Sequence, residues 1–594
     1  MLRRVVKISS QLLSSRNPLY VHQDAREISN IPYRALVSLS SFSEREGGSN
    51  TWAFWLGLTG LAVGGALASA PSAIASEPHH CKDKPTIVVL GTGWGAISFL
   101  RALKPLHSNQ YNVQIVSPRN YFLYTPLLPA SATGTVDTHS IVDPIRSHLD
   151  ARCNYYEAEC LDVNVKEKTL SCGYTRPFRE ASDAGKKDHT FKMNYDILIV
   201  AIGAVTNTFG VPGVEENCFY MKSAEDAKAL RERINACFEL ANLPDTTDEE
   251  RRRLLSFVIV GGGPTGTELA AEMNDLILED MLRYFPRIDR SQVTIKQIDS
   301  HDHILSAFDR TIAEYATEHF RRSGIDLILA CRVKAVEPDA VVVDKHGKKE
   351  RIPFGTCIWT TGIRMHPLAE RVADQLQGQE HWHSLMVDGH LRLKGSNAIF
   401  ALGDAATIEQ ERVLRHAEEL FEQGDANKDG MLSSDELQQL LLLNVKKYPQ
   451  LAEIAARVPK NTVLTKEAFL KHLEELDKSL RSVPATAQAA HQEGHYLGKL
   501  FRKYKIDPLQ TEVVPEGAPE FEYKPLGTIA YIGHDKAVLD PGPSAPFLRY
   551  IRGWLMGLGW KSAEVFMQIS YKNMWLVSRD FLKAKIFGRD ISDV

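Results

Sequence analysis

The sequence predicts an α/β protein made of two Rossmann-like domains, the first split by the second, with an all-α insertion and an amphipathic C-terminal region. Three observations predict it. Two β-branched runs each end in a glycine-rich turn that opens a helical pattern. A twelve-residue loop with oxygen-bearing side chains at fixed spacing lies between leucine-rich helical stretches, and the segment from Phe547 onward interleaves aromatic and basic residues.

At 594 residues the chain has room for about three or four domains. A net charge of -4 gives no concentrated basic face, so nucleic acid is not an expected partner. The eight cysteines are scattered without a CxxC or paired-ligand spacing and read as small buried hydrophobes. Residues 1–50 begin with Arg3, Arg4, Lys7 and Arg16 among several serines, before the first acid at Asp24, which is the composition of a mitochondrial presequence. Residues 51–75 carry no charge, and Thr51 to Ala70 is about long enough to cross a bilayer as a helix; a buried core helix is the alternative. A basic leader followed by an apolar stop predicts placement at the mitochondrial inner membrane, on the face toward the intermembrane space.

Pro85 to Leu90 is a strand pattern ending in Gly91-Thr-Gly93-Trp-Gly-Ala96, followed by a helical stretch. Glycines at Gly91 and Gly93 let the backbone approach a pyrophosphate, Ala96 occupies the third small position, and the helix N-terminus supplies amide donors. A second copy runs from Ser256 to Val260 into Gly261-Gly-Gly263-Pro-Thr-Gly266. One such turn is weak evidence; two, each after a strand, predict two dinucleotides, FAD and a nicotinamide held face to face. Tyr195 to Gly203 and Ile399 to Ala405 resemble the two remaining landmarks of two-dinucleotide flavoproteins. The second of these puts the Asp404 carboxylate on the flavin's ribityl chain. After the second strand of the nicotinamide domain stands Asp299, whose carboxylate suits a ribose hydroxyl and repels a 2'-phosphate, favouring NADH. The matching FAD position is Ser117, a weaker ribose contact.

The segments Ser117 to Pro129 (including Arg119), Gly261 to Glu268, Trp359 to Gly362 and Ala487-Gln488-Ala-Ala-His-Gln492 resemble type II NADH dehydrogenases, over roughly Pro85 to the C-terminal end. With the twelve-residue loop added, the resemblance is to the calcium-dependent external NADH:ubiquinone oxidoreductases of mitochondria. It implies FAD contacts at Ser117, Arg119 and Gln488, an NADH contact at Gly362, and a quinone site lined by Gln488 and Gln492. Glu268 would stand where nicotinamide, flavin and quinone meet. Read from position alone, Glu268 is also what any helix favours in its first turn, and glutamines four apart are common on solvated faces. Ser117, Asp299 in place of glutamate, and Ile202 depart from the family pattern. The expected boundaries are 85–215 and 386–408 for the FAD domain, 216–385 for the NADH domain, 409–483 for the insertion, 484–520 for the flavin and quinone helix region, and 521–594 for the membrane-anchoring domain. A disulfide reductase or sulfide:quinone oxidoreductase needs a cysteine pair beside the flavin, which is absent after Gly91. The other rival is a flavoprotein acting mainly in calcium-dependent signalling. Proton pumping is not expected, since the chain has no series of apolar spans.

In the insertion, Asp425, Asn427, Asp429, the main-chain oxygen of Met431, Ser433 and Glu436 occupy positions 1, 3, 5, 7, 9 and 12 of an EF-hand loop, with Gly430 at the sharp turn. Calcium is the metal that this all-oxygen set predicts. A second loop, 457–468, puts Arg457, Pro459, Asn461 and Ala468 at ligand positions and cannot bind calcium; its Leu464 is expected to pair with Leu432, although an unrelated helical hairpin fits the pattern too. At the C-terminal end, Met574, Val577, Phe581 and Ala584 recur as a helical stripe beside basic residues, predicting contact with inner-membrane lipid. The same stripe would serve as a core or homodimer-contact face.

Overall fold

The computed structural model describes residues 84–592 apart from 104–109, 150–152, 175–188, 346, 380, 382, 409–412, 445–447, 449–450, 452–453, 455–462, 480–482, 505, 507–513, 516 and 542–551. The expected presequence and the apolar segment 51–75 lie outside the described residues, as do Arg457, Pro459 and Asn461.

The first domain opens with β1 (Thr86–Leu90), α1 (Trp94–Leu103), β2 (Asn112–Ser117), β3 (Asn154–Glu157) and β4 (Ile197–Val200). β1 is buried at four of its five residues and β4 at all four, as strands covered on both faces must be. The chain then builds β5 (Cys218–Phe219), β6 (Ser256–Val260), α2 (Pro264–Leu276), β7 (Thr294–Ile298), β8 (Ile325–Ile328) and β9 (Thr356–Trp359). These strands form a parallel sheet of order β5-β9-β6-β7-β8. Only afterwards does β10 (Ile399–Ala401) return to pair with β4, completing a parallel sheet of order β10-β4-β1-β2-β3. The first domain is therefore split by the second. The chain crosses between them twice, and the crossings pair antiparallel, Val205 opposite Arg364 and Thr206 opposite Ile363.

Beyond β10 comes a helical module: α3 (Ala417–Gly424), β11 (Met431–Leu432), α4 (Ser434–Asn444), β12 (Leu464–Thr465) and α5 (Lys466–Ser479). It has its own core, in which Leu420, Phe421, Leu440, Phe469 and Leu473 surround the strands. The pairing expected of the two leucines is present, with Leu432 opposite Leu464. Asp477 on α5 accepts from the amides of Val413 and Leu414, tying the module's last helix to its first turn.

Helix α6 (Ala487–Tyr504) follows and lies along α1. The approach requires glycine: a Cβ on Gly494 would stand 2.2 Å from the carbonyl oxygen of Gly95, and one on Gly498 2.6 Å from that of Phe99. Beside this contact Glu493, 4% exposed, accepts from the Gly403 amide at the end of β10. Burial, with the neighbouring Asp404 adding to it, pushes the Glu493 carboxyl up to about 8.

The chain ends in β13 (Thr528–Gly533), β14 (Lys536–Asp540), β15 (Arg552–Gly553), α7 (Trp554–Phe566) and α8 (Tyr571–Phe587). Here the structure corrects the sequence reading. Val577 and Phe581 are buried and Met574 and Ala584 half-buried, so the expected lipid-facing stripe packs inward. The reason is polar: Asp580 on the same side of α8 accepts from Ser140 Oγ and the Asp137 amide, and Asn573 donates to the Val142 carbonyl, which fixes that side against the first domain. The exposed apolar side chains of the two helices are instead Trp554, Leu555, Phe566, Met567, Tyr571, Trp575, Ile586 and Phe587, most of them near the helix ends. Among the described residues no helix is long and apolar enough to cross a membrane.

Two outcomes follow. Gly494→Ala places a methyl against backbone that has no rotamer to yield, so it should cost on the order of 1–3 kcal/mol in chemical unfolding and lower flavin retention. The raised Glu493 carboxyl keeps its proton in the folded chain after the unfolded chain has lost it, so its contribution to stability is lost as pH rises from about 4.5 toward about 8. In Glu493→Gln the fall in Tm between pH 6 and pH 8.5 should be smaller than in the unmodified protein.

Candidate active site

Gly91 leaves β1 with φ +104°, and a Cβ there would stand 2.3 Å from the Ala201 carbonyl oxygen, so only glycine lets β1 turn beneath the neighbouring crossover. At Gly93 the space around an added Cβ is open within 4 Å, which leaves the first turn of α1 accessible to a phosphate group. Ala96 is fully buried where α1 meets the sheet. Ser117 ends β2 as expected, but its hydroxyl lies 3.2 Å from Thr92 Oγ1 and accepts from the Arg119 amide at 3.2 Å. These two contacts use two of the hydroxyl's three hydrogen-bonding sites. The Arg119 side chain is exposed beside it. Asp404, in the turn after β10, stands 3.4 Å from Lys222 with its side chain 23% exposed, so one cation and one carboxylate face the same crevice.

The second turn repeats the geometry. Gly261 has φ +122°, a Cβ on Gly266 would stand 2.2 Å from the Gly261 carbonyl oxygen, and Gly263 is open within 4 Å. Asp299 follows β7, largely buried, and its carboxylate accepts from the Gly262 amide and from the His301 amide. It is thereby fixed at the mouth of the glycine turn. Gly362, with φ +77°, lies under the exposed ring of Phe209, where a Cβ would meet the ring at 2.5 Å.

Glu268, one turn into α2, is half-buried rather than a solvated first-turn acid. Its Oε1 accepts from the Tyr531 amide at 3.2 Å. Burial raises its carboxyl well above the usual range, and the charges of Glu564 and Glu272 add to the effect. Gln488 and Gln492 share one side of α6 and both reach the segment after Pro519. Gln492 donates to the Lys524 carbonyl at 2.8 Å and accepts from its amide at 3.0 Å, so its amide braces main chain. Gln488 Oε1 accepts from Tyr523 Oη at 2.7 Å and the Leu526 amide at 3.3 Å, which leaves its two N–H donors for a carbonyl oxygen. A surface cavity of about 640 Å³ lies elsewhere, among Tyr315, His319, Lys536 and Arg552.

In the insertion, Gly430 takes φ +80° at the sharp turn. Asp425 accepts from the amides of Asp429 and Gly430, and Glu436 from those of Asn427 and Ser433, so the carboxylates turn into the loop. Asp429 accepts from Met431 N at 2.8 Å and Asn427 Oδ1 from Asp429 N at 2.9 Å. These are oxygen donors arranged around one turn, which fits a hard cation. Among the described residues, however, no three His, Cys, Asp or Glu side chains are gathered as a metal site, so binding would require the three acids to close.

Sequence reasoning missed Tyr124, Lys222, Glu493, Glu564 and Tyr531. Tyr124 and Glu493 stand within or beside quoted motifs, but Lys222, Tyr531 and Glu564 carry no local signal.

Residues 85–424 match the pyridine nucleotide-disulphide oxidoreductase model, and residues 526–590 match the NDH2 C-terminal domain. Among relatives, the external alternative NAD(P)H-ubiquinone oxidoreductase B2 of Arabidopsis thaliana mitochondria is 38% identical over 543 residues, 86% of this chain and 90% of that one. The mitochondrial external NADH-ubiquinone oxidoreductase 2 of Saccharomyces cerevisiae is 32% identical over 537 residues, 86% of this chain and 82% of that one. The structure of NDH2 from Plasmodium falciparum in complex with NADH superposes with a TM-score of 0.73 at 28% identity, covering 86% of this chain and all of that one. With residues 85–424 and 526–590 both matched and a relative 38% identical over 86% of the chain, the chain belongs to the type II NADH dehydrogenases, the family of the external alternative NAD(P)H-ubiquinone oxidoreductases.

Proposed function

We propose that this protein oxidises NADH and reduces ubiquinone at the outer face of the mitochondrial inner membrane, without pumping protons and under calcium control. The observation that carries the redox reading is the pair of strand–glycine–helix turns, each with an open glycine at a helix N-terminus, in domains joined by one antiparallel ladder. FAD, when bound, supplies the acceptor for the nicotinamide hydride and the donor to the quinone. Gly91, Gly93 and Ala96 would cradle its pyrophosphate, with Asp404, Lys222 and Arg119 as its polar contacts. Gly261, Gly263 and Gly266 would do the same for NADH, with Asp299 taking its ribose and Gly362, under the Phe209 ring, offering its backbone. The protein's own contribution is positioning: the glycine turns fix both dinucleotides, and Gln488 directs its donors at the quinone carbonyl.

Location rests on the basic leader and apolar segment together with the mitochondrial and external names of the relatives. Membrane contact is assigned to the exposed Trp554, Leu555, Phe566, Met567, Tyr571 and Phe587, flanked by Lys572 and Lys585, rather than to the inward stripe. Calcium is assigned to Asp425, Asn427, Asp429, Met431, Ser433 and Glu436. Because α5 leads into α6, closing that loop would act on the helix that carries Gln488.

Three measurements test these assignments. Purified protein should oxidise NADH with a short-chain ubiquinone, faster with calcium than with a chelator. Glu436→Gln should abolish the calcium response while retaining flavin; an unchanged response excludes the loop. Asp299→Asn should lower kcat/KM for NADH by about tenfold, equivalent to about 1.4 kcal/mol, and narrow the preference over NADPH.

A further inference from the structure

The surface cavity of about 640 Å³ belongs to neither nucleotide turn, and its walls come from two domains. The helix Arg310–Arg322 of the second domain supplies Tyr315, Glu318, His319 and Arg322. The C-terminal sheet supplies His534 from the turn after β13, Lys536 from β14 and Arg552 from β15. Among the described residues that line it, Glu318 is the one carboxylate, and it is already paired with Arg322 at 2.9 Å. His534 stands 3.8 Å from Asp275. Lys536 and Arg552 are left without an ion-pair partner among the described residues, so the cavity carries two uncompensated cations.

The two cations are held in place by the fold. β15 runs antiparallel to β14 with Arg552 opposite Val538, and Lys536 lies two residues before Val538, so both cations project from one face of the sheet. The Arg552 guanidinium lies over the Tyr315 ring, 4.3 Å from its centre. Stacking uses the flat face of the guanidinium and leaves its N–H donors, which lie in the plane, for a ligand. Beside them His319 has a buried Nε2 without a hydrogen-bond partner. Burial, with the Lys536 charge next in effect, holds the His319 imidazole down to about 4, in keeping with an excess of positive charge. Unpaired cations and an unpaired ring nitrogen around one cavity are each unfavourable alone. An anionic group that also carries hydrogen-bonding oxygens satisfies them together.

The surroundings indicate where such a group comes from. Trp554 and Leu555 follow Arg552 by two and three residues and are 58% and 62% exposed, so the cavity adjoins an apolar end of α7. A basic site beside exposed tryptophan and leucine matches the boundary between lipid headgroups and acyl chains. We propose that this cavity binds the phosphate headgroup of an acidic phospholipid, Lys536 and Arg552 meeting the phosphate oxygens while Trp554 and Leu555 enter the acyl layer beside it. Two positive charges without a paired acid favour a headgroup of net negative charge over a zwitterionic one. Its volume suits a small polar molecule of that size. The lipid source rests on the membrane contact proposed above; the anion site does not. Because its walls belong to two domains, one bound headgroup would tie the nicotinamide-binding domain, as well as α7, to the membrane surface.

The purified holoenzyme is titrated by calorimetry with dihexanoyl-phosphatidylglycerol below its aggregation concentration, with dihexanoyl-phosphatidylcholine, and with inorganic phosphate. The acidic lipid should bind once per chain and more tightly than the other two. Lys536→Gln and Arg552→Gln should each weaken it by about fivefold, with Tm and flavin content unchanged in Lys536→Gln. Arg552→Lys, which keeps the charge and loses the fork, should fall between. Absence of saturable binding by all three probes, or binding that neither Gln variant weakens, overturns the site. Inorganic phosphate or the zwitterionic lipid binding as tightly as the acidic lipid overturns the acidic-lipid assignment. Should Arg552→Gln unfold, Lys536→Gln alone decides. Vesicles test the other reading separately: the protein should sediment with phosphatidylcholine vesicles and more completely when phosphatidylglycerol is added. If it binds the soluble acidic lipid but no vesicle, the membrane-contact reading has failed and the anion site stands.

Discussion

The close approach of α1 and α6 is the contact on which the rest of the structure depends. α1 begins the first domain and α6 arrives only after the second domain and the helical module have been built, so a single backbone-to-backbone contact reassembles a domain from distant pieces. Gly95, Gly494 and Gly498 make it possible, because a side chain at any of them would strike backbone or the Leu402 side chain. Everything expected of the flavin site hangs from these two helices and the strand between them: the glycine turn at the head of α1, Asp404 after β10, and the glutamines at the head of α6. Glu493 shows how tightly the pieces are drawn together, since it buries a carboxyl group to hold the Gly403 amide, beside the acid that the cofactor is expected to need.

Much of this was legible from local pattern. A β-branched run followed by glycines and a helical period is one continuous stretch, and both such stretches fold as read. The split of the first domain was legible too, because Ile399 to Ala405 carries its own signature and β10 takes the place at the sheet edge that this requires. The pairing of Leu432 with Leu464 followed from loop position 8 without any help from the ligand residues.

What was not legible depended on partners from elsewhere in the chain. The stripe on α8 gave the correct period, but period does not say which neighbour covers the apolar side, and buried Asp580 and Asn573 settle it in favour of the first domain. Ser117 was placed correctly at the end of β2, but its bonds to Thr92 and the Arg119 amide come from residues whose approach the sequence does not announce. Gln492 likewise braces the Lys524 main chain, a contact invisible in a glutamine spacing. Glu564 is the extreme case: nothing in its neighbouring residues announces a carboxyl that is 6% exposed with its Oε2 without a hydrogen-bond partner.

The ladder of Val205 and Thr206 with Ile363 and Arg364 has a consequence for how this chain is put together. Paired antiparallel strands hold the entrance and exit of the second domain about 5 Å apart. A domain whose two ends touch adds to its host no long loop to close, so the host loses little chain entropy by containing it. The second domain is in this sense a closed excursion of the chain: its ends stand side by side, and what holds its body to the host is side-chain bonding, as of Tyr121 to Glu225 and Thr135 to Glu272, rather than the connections.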